Sequence, residues 1–229
     1  MRFSRLGVLF LLAAGVLLSA NCSYYNRILS RKDLVDGSVA YRERKFAAAE
    51  RLFRKAVARD PNGTTLEGRT AQVFLARTLH SEFIGNRQDK SKAEEAIDAY
   101  KKALTIDPND QSSYKAVANL YENLQRTEDW EKWVADRAKN PSIRPEYRAE
   151  ALTTLASKQN SCASEITETD AVKKKVKRDG KDVFEFVKPA NASDYERLKS
   201  CVSKGLEFID QAIALEPDNV KNAKSVNLK

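Results

Sequence analysis

One phrase recurs along the chain. Ala49-x3-Phe53-x2-Ala56-x4-Pro61 returns as Ala96-x3-Tyr100-x2-Ala103-x4-Pro108 and, in weaker form, as Gly205-x3-Ile209-x2-Ala212-x4-Pro217. Asn or Asp follows the proline directly in every copy. The small, bulky and small positions fall at i, i+4 and i+7 and therefore share one face of a helix. Small residues let a neighbouring helix come close, and the large side chain fills the gap between them. Proline then ends the helix, because it lacks an amide and clashes with the carbonyl four residues back. Asn62, Asn109 and Asp218 suit the turn or the next N-cap. A chain built on this phrase folds as an array of helix pairs, and such arrays present surfaces to other proteins.

These residues resemble the tetratricopeptide repeat (TPR) family, whose unit of about 34 residues sets small side chains, aromatics and a closing proline at fixed places. Counting back from Pro61 puts Gly37 on a small-residue position of a first repeat and Phe46 on the aromatic that opens its second helix. Thr64 opens a second repeat with Ala71 and Phe74. Gln111 opens a third with Tyr114, Ala118 and Tyr121, and Arg144 a fourth with Tyr147 and Ala151. The departures are informative too. Pro61 and Pro108 are 47 residues apart, so the second repeat is longer than one unit, and the excess around 77–89 lengthens its first helix through Leu79 and Phe83 to a break at Gly85-Asn86. Trp130, Val134 and Arg137 stand where the third repeat should show small, aromatic and small residues.

The fold implied by the resemblance is all-α: a TPR-like right-handed superhelix of about four helix-turn-helix repeats, with a β-hairpin insertion in the last. The expected repeats are 30–63, 64–110, 111–143 and 144–219, the last with an insertion over 163–192, and residues 220–229 form a C-terminal cap. Composition agrees: 42% hydrophobic and 31% charged residues with eight glycines and six prolines suit a mostly helical domain.

Residues 1–21 read as a signal peptide. Arg2 and Arg5 precede an apolar run from Leu6 to Ala20 that ends at polar Asn21. That run is shorter than the ~20 residues a membrane-spanning helix needs. Cys22, directly after Leu18-Ser19-Ala20-Asn21, resembles a bacterial lipoprotein processing site, with residues 22–29 as the tether. Lipidation of Cys22 would place the protein in a bacterial cell envelope, facing the periplasm, and Ser23 favours the outer membrane by the same resemblance. Cleavage after Ala20 would instead leave a soluble periplasmic or secreted protein.

Three cysteines in an exported chain leave one over unless one has a separate use, and lipid on Cys22 leaves an even pair. Cys162 near the end of one helix and Cys201 near the start of its antiparallel partner could form a disulfide across the base of the insertion. Closing a loop of about 40 residues is worth roughly 4 kcal/mol on the chain-entropy model. Two reduced, buried thiols are the alternative. Inside the insertion, residues 172–187 read as two strands joined by Asp179-Gly180, with Phe184 or Phe186 expected to pack on neighbouring helices and the lysines to face outward. Lys173, Lys174, Lys175, Lys177, Arg178 and Lys181 make a basic patch that is either a solvated face or a contact for lipid phosphates, cell-wall polymer or an acidic partner.

No catalytic constellation can be assembled. His80 is the single histidine, and no glycine-rich phosphate loop or nucleophile-base-acid set is present, so no enzyme, metal or cofactor is expected. Export argues against nucleic acid as a partner. By resemblance, the first helices of successive repeats line a concave groove for an extended peptide or segment of a protein partner. Carried over by position, that groove takes Leu34 and Tyr41, then Gln72 and Leu75, then Lys115, Asn119 and Glu122, and finally Arg148, Leu152 and Leu155. Two functions follow as expectations. One is a lipid-anchored scaffold that binds a protein partner within an envelope assembly or secretion system. The other is an envelope-structural protein that grips anionic lipid or cell-wall polymer through the basic hairpin.

Overall fold

A computed structural model describes residues 5–216, with side chains from residue 24 onward. The expected cap 220–229, the close of the third phrase at Pro217 and Asp218, and the Cys22 side chain lie outside the described residues. The chain divides into two compact units, Met1–Gln125 and Arg126–Lys229.

The first unit holds five helices: α1 Arg5–Arg42, α2 Phe46–Arg59, α3 Leu66–Gly85, α4 Lys90–Ile106 and α5 Gln111–Asn123. Helical backbone runs unbroken through 22–29. Among the described residues no helix is long and apolar enough to cross a membrane. α1 and α2 form an antiparallel pair: Ser30 and Asp33 meet the last turn of α2, and Gly37, further along α1, meets Phe53 nearer the middle of α2. Ser30 Oγ donates to the Ala56 carbonyl at 3.3 Å, Asp33 pairs with Arg59 at 2.9 Å, and Gly37 faces Phe53. α3 and α4 repeat the arrangement: Gln72 Nε2, early in α3, donates to the Ala99 carbonyl at 3.0 Å, and Glu82, late in α3, pairs with Lys92 at the start of α4 at 3.1 Å. His80 stands edge-on to the Tyr100 ring at 6.0 Å.

The recurring phrase supplies the core of these pairs. Ala49, Phe53 and Ala56 are fully buried, and Ala96, Tyr100 and Ala103 nearly so. Gly37 makes room for the Phe53 ring: a Cβ there would stand 2.7 Å from it, so only glycine lets the ring seat. Phe53 in turn meets the Phe74 ring at 5.5 Å, and Tyr41 meets Phe74 at 6.2 Å and Phe46 at 5.5 Å. This aromatic cluster ties α1 and α2 to α3.

The turn after α2 is organised by Asp60 rather than by the Asn after Pro61. Asp60 Oδ1 accepts from the amide and hydroxyl of Thr64, and Oδ2 from the amide and hydroxyl of Thr65 at 2.7 Å each. Thr65 Oγ1 then caps α3 by accepting from the Gly68 amide at 3.0 Å. Asp110 likewise caps α5 from the Ser112 amide, and Asn109 stays in the turn. Burial alone would raise the Asp60 carboxyl, but the hydrogen bonds from Thr65 and Thr64 outweigh it and hold the group below its ordinary 3.8. A folded-state value below the unfolded one means a contribution that is present above pH 3.8 and lost as pH falls through the lower, folded value. Asp60→Asn leaves one acceptor oxygen where four donors converge, and it should cost roughly 1–3 kcal/mol near neutral pH. In denaturant titrations across pH, the gap between wild type and Asp60→Asn should stay constant down to about pH 4 and shrink below it. A gap that widens toward acid would contradict this.

The second unit holds α6 Thr127–Lys139, α7 Pro145–Thr167, the strands β1 Lys173–Arg178 and β2 Lys181–Phe186, and α8 Ala192–Leu215. On α6, Trp130, Val134 and Arg137 are all buried, so the face that the phrase marks elsewhere is kept with larger side chains. α7 and α8 are antiparallel neighbours, joined by the Cys162–Cys201 disulfide with a Cα separation of 6.1 Å. Gly205 approaches α7 closely, since a Cβ there would lie 3.3 Å from Gln159.

Two expectations about the insertion are corrected. α7 does not stop near residue 163: Ile166 is buried and extends its apolar face, so the helix continues to Thr167. The disulfide thus lies within the helix pair, and an Arg197–Glu165 ion pair continues the contact beyond it. Neither Phe184 nor Phe186 packs on a helix, for both rings are more than half exposed. Strand register decides this, because it places both rings on the face opposite Val176 and Val183, which are half-buried. The turn itself has Asp179 at φ 49° and Gly180 at φ 76°, the left-handed pair that a tight two-residue hairpin requires.

Candidate functional site

Three of the ten expected groove residues meet in one place. Arg148, Leu152 and Leu155 rise from one face of α7 into a cleft of about 840 Å³ bounded by α6, α7 and α8. Ala135 and Ala138 of α6 and Phe208, Ala214 and Leu215 of α8 complete an apolar floor. Lys139, Lys158 and Lys204 stand at the rim with Glu131 and Glu207. Arg148 is fixed rather than loose, since its Nε donates to the Ala138 carbonyl at 2.9 Å and ties α7 to α6. Lys158 lies over the Trp130 ring at 5.5 Å. The cleft therefore combines an apolar floor with a rim carrying more positive than negative side chains, which suits an amphipathic segment with acidic flanks.

The seven candidates in the first unit do not act as a set. Gln72 is buried and spends its side-chain amide on α4, and Leu75 is buried as well, so both serve packing. Tyr41 belongs to the aromatic cluster, and its hydroxyl shares a hydrogen bond with Ser81 at 3.1 Å. Leu34 is half-buried. Lys115, Asn119 and Glu122 are exposed at i, i+4 and i+7 of α5 and share one face of it.

Sequence reasoning missed a stripe on α1. Tyr24, Ile28, Val35 and Val39 are exposed large apolar residues. Their spacing of four, seven and four residues places them on a single face of the helix. The signal was present as a helical period but lay hidden beneath the repeat pattern.

Electrostatics in the first unit are structural. Lys92 Nζ lies 2.7 Å from Glu50 Oε2 and 3.1 Å from Glu82 Oε2, joining α4 to α2 and α3. Burial would raise Glu50, but hydrogen bonds from Lys92 and Arg54 bring it below its ordinary value. Glu82 goes the other way: burial raises it, Lys92 offsets only part, and the Glu50 charge adds to the rise. Burial lowers His80, the Arg87 charge adds to the fall, and the half-buried ring stands edge-on to Tyr100. Among the described residues no group of three or more His, Cys, Asp or Glu could hold a metal ion. Lys173, Lys174, Lys175, Lys177 and Arg178 lie on β1 and Lys181 opens β2.

No curated protein is similar enough to match the chain. Two solved structures are similar to the chain at low identity. The crystal structure of YrrB, described as a TPR protein with an unusual peptide-binding site, is 16% identical over 85% of this chain and 90% of its own, with a TM-score of 0.39. That of TTC0263, a thermophilic TPR protein of Thermus thermophilus, is 14% identical over 87% and 98%, with a TM-score of 0.36. Residues 88–110, which contain α4 with its phrase Ala96, Tyr100, Ala103 and Pro108, match the model of the tetratricopeptide repeat family.

Proposed function

We propose that this chain is an exported, lipid-anchored scaffold, whose α6–α7–α8 cleft holds a segment of a protein partner within a bacterial envelope assembly or secretion system. The cleft carries the reading. Its apolar floor would bury a row of side chains, and Lys139, Arg148, Lys158 and Lys204 outnumber Glu131 and Glu207 around it, which favours a segment rich in carboxylates. The anchor rests on Cys22 after an apolar leader, and the Cys162–Cys201 bridge leaves Cys22 as the third cysteine, outside that pair. Ser23 favours the outer membrane.

A photo-crosslinking amino acid at Gln211, exposed beside the cleft floor, should trap one protein in the native envelope. The same probe at Lys199, on α8 but outside the cleft, should not. Lys158→Glu with Lys204→Glu should reduce the Gln211 crosslink about tenfold or more, as loss of two rim charge contacts implies. Equal trapping from Gln211 and Lys199, or trapping indifferent to the charge reversals, would rule the cleft out. The anchor has its own readout in the mass of the N-terminal peptide. A chain starting at lipid-bearing Cys22 is expected, and an unmodified chain starting at Asn21 would refute it.

A further inference from the structure

The hairpin has two unlike faces. β1 and β2 pair in antiparallel register with Lys173 opposite Phe186, Lys175 opposite Phe184 and Lys177 opposite Asp182. Side chains alternate along a strand, so Phe184 and Phe186 share one face with Lys173, Lys175, Lys177 and Asp182, and the Val176–Val183 pair lies on the other with Lys174, Arg178, Lys181 and Glu185. Phe184 is 59% and Phe186 58% exposed, so the ribbon gives its largest apolar groups to solvent and half-buries its smaller ones. The Lys173 ammonium lies 4.8 Å from the Phe184 ring and 5.8 Å from Phe186, beside the rings it would flank at a boundary between polar and apolar media.

Each face carries three basic side chains and one acid, so the rings rather than the charge choose the docking face. Residues 173–186 carry six basic and three acidic side chains. Lys173 pairs with Glu168, Lys175 with Asp182 at 2.8 Å, and Arg178 with Glu185. Lys177 and Lys181 pair with no acid among the described residues. These surface pairs are individually weak and can exchange for a phosphate.

We propose that this face docks on an anionic lipid bilayer, with Phe184 and Phe186 entering the boundary between headgroups and acyl chains while Lys173, Lys175 and Lys177 reach lipid phosphates. A soluble acidic polymer could satisfy the lysines but gives two exposed rings no medium to enter. An anionic bilayer surface supplies both within one side-chain length. The contact is distinct from the α6–α7–α8 cleft and stands or falls without it.

The test uses the full chain on vesicles, so that its N-terminal segment is in the same state in every arm. Amide hydrogen exchange over 173–186 is compared on phosphatidylcholine vesicles and on phosphatidylcholine mixed with phosphatidylglycerol. Exchange should slow in this segment on the mixed vesicles only. Each lysine at an anionic surface is worth about a fivefold change in affinity, so Lys173→Glu, Lys175→Glu and Lys177→Glu together should abolish the slowing. Phe184→Ser with Phe186→Ser keeps every charge and should also abolish it. All five side chains sit on the outer face of the ribbon, and retained helical circular dichroism with an intact Cys162–Cys201 bridge checks the fold. Three results overturn the proposal: equal exchange on both vesicle types, full slowing in the serine variant, or equal slowing by soluble polyglutamate.

Discussion

Phe53→Ala is expected to remove about 3–5 kcal/mol from the first unit, a large share of what a domain of ordinary stability has in hand. Phe53 is completely buried, and its ring fills the space that Gly37 leaves on α1 and touches Phe74 on α3. Truncation loses the transfer energy of the ring and leaves a cavity that rigid helix backbone closes poorly. Chemical denaturation followed by far-ultraviolet circular dichroism should show the helical transition moving to lower denaturant. Trp130 and Trp133 both belong to the second unit, so their fluorescence reports that unit separately. A shift of less than about 0.5 kcal/mol would mean that the aromatic in the phrase is not the keystone of the first helix pair. Gly37→Leu should fail for the complementary reason, since its side chain would need the volume that the Phe53 ring occupies.

Reduction of Cys162–Cys201 is the second large effect. The bridge closes a loop with a sequence separation of 39, worth about 4 kcal/mol on the chain-entropy account and often less in measured cases. Cys201 is buried and Cys162 half-buried, so the thiols formed on reduction stay within the α7–α8 contact. The tryptophan-detected transition should therefore fall on treatment with a reductant, and Cys162→Ala with Cys201→Ala should reproduce the fall with no reductant present. Identical transitions with and without the bridge would show that α7 and α8 are held by packing alone.

How far the sequence could be read depended on how local the physics was. The phrase Ala-x3-Phe-x2-Ala is decided within two turns of one helix, and it marked α2 and α4 together with the residues that vanish into their cores. Its proline and the Asp before it closed those helices, although Asp60 and Thr65 rather than Asn62 make the actual turn and cap. The hairpin was visible from Asp179-Gly180, but alternation alone cannot say which of two faces turns inward. That choice depends on what the ribbon meets in space, and the rings went outward. The groove residues divided for a similar reason. Arg148, Leu152 and Leu155 surround a cleft because α6 and α8 frame α7. Gln72 occupies the corresponding kind of position, yet it is drawn into its own hairpin by the Ala99 carbonyl. The exposed apolar stripe of α1 shows the converse, a period that one helix carries plainly but that a search for repeats passes over.

The sulfur bridge sits five residues inside the end of α7 and nine inside the start of α8, so everything from Thr167 to Ala192 belongs to one covalently closed loop. A protease that nicks the exposed ribbon would leave both helices attached to each other. The chain would migrate as one molecule until reductant parted it into two fragments, so a clipped preparation would look whole on a non-reducing gel.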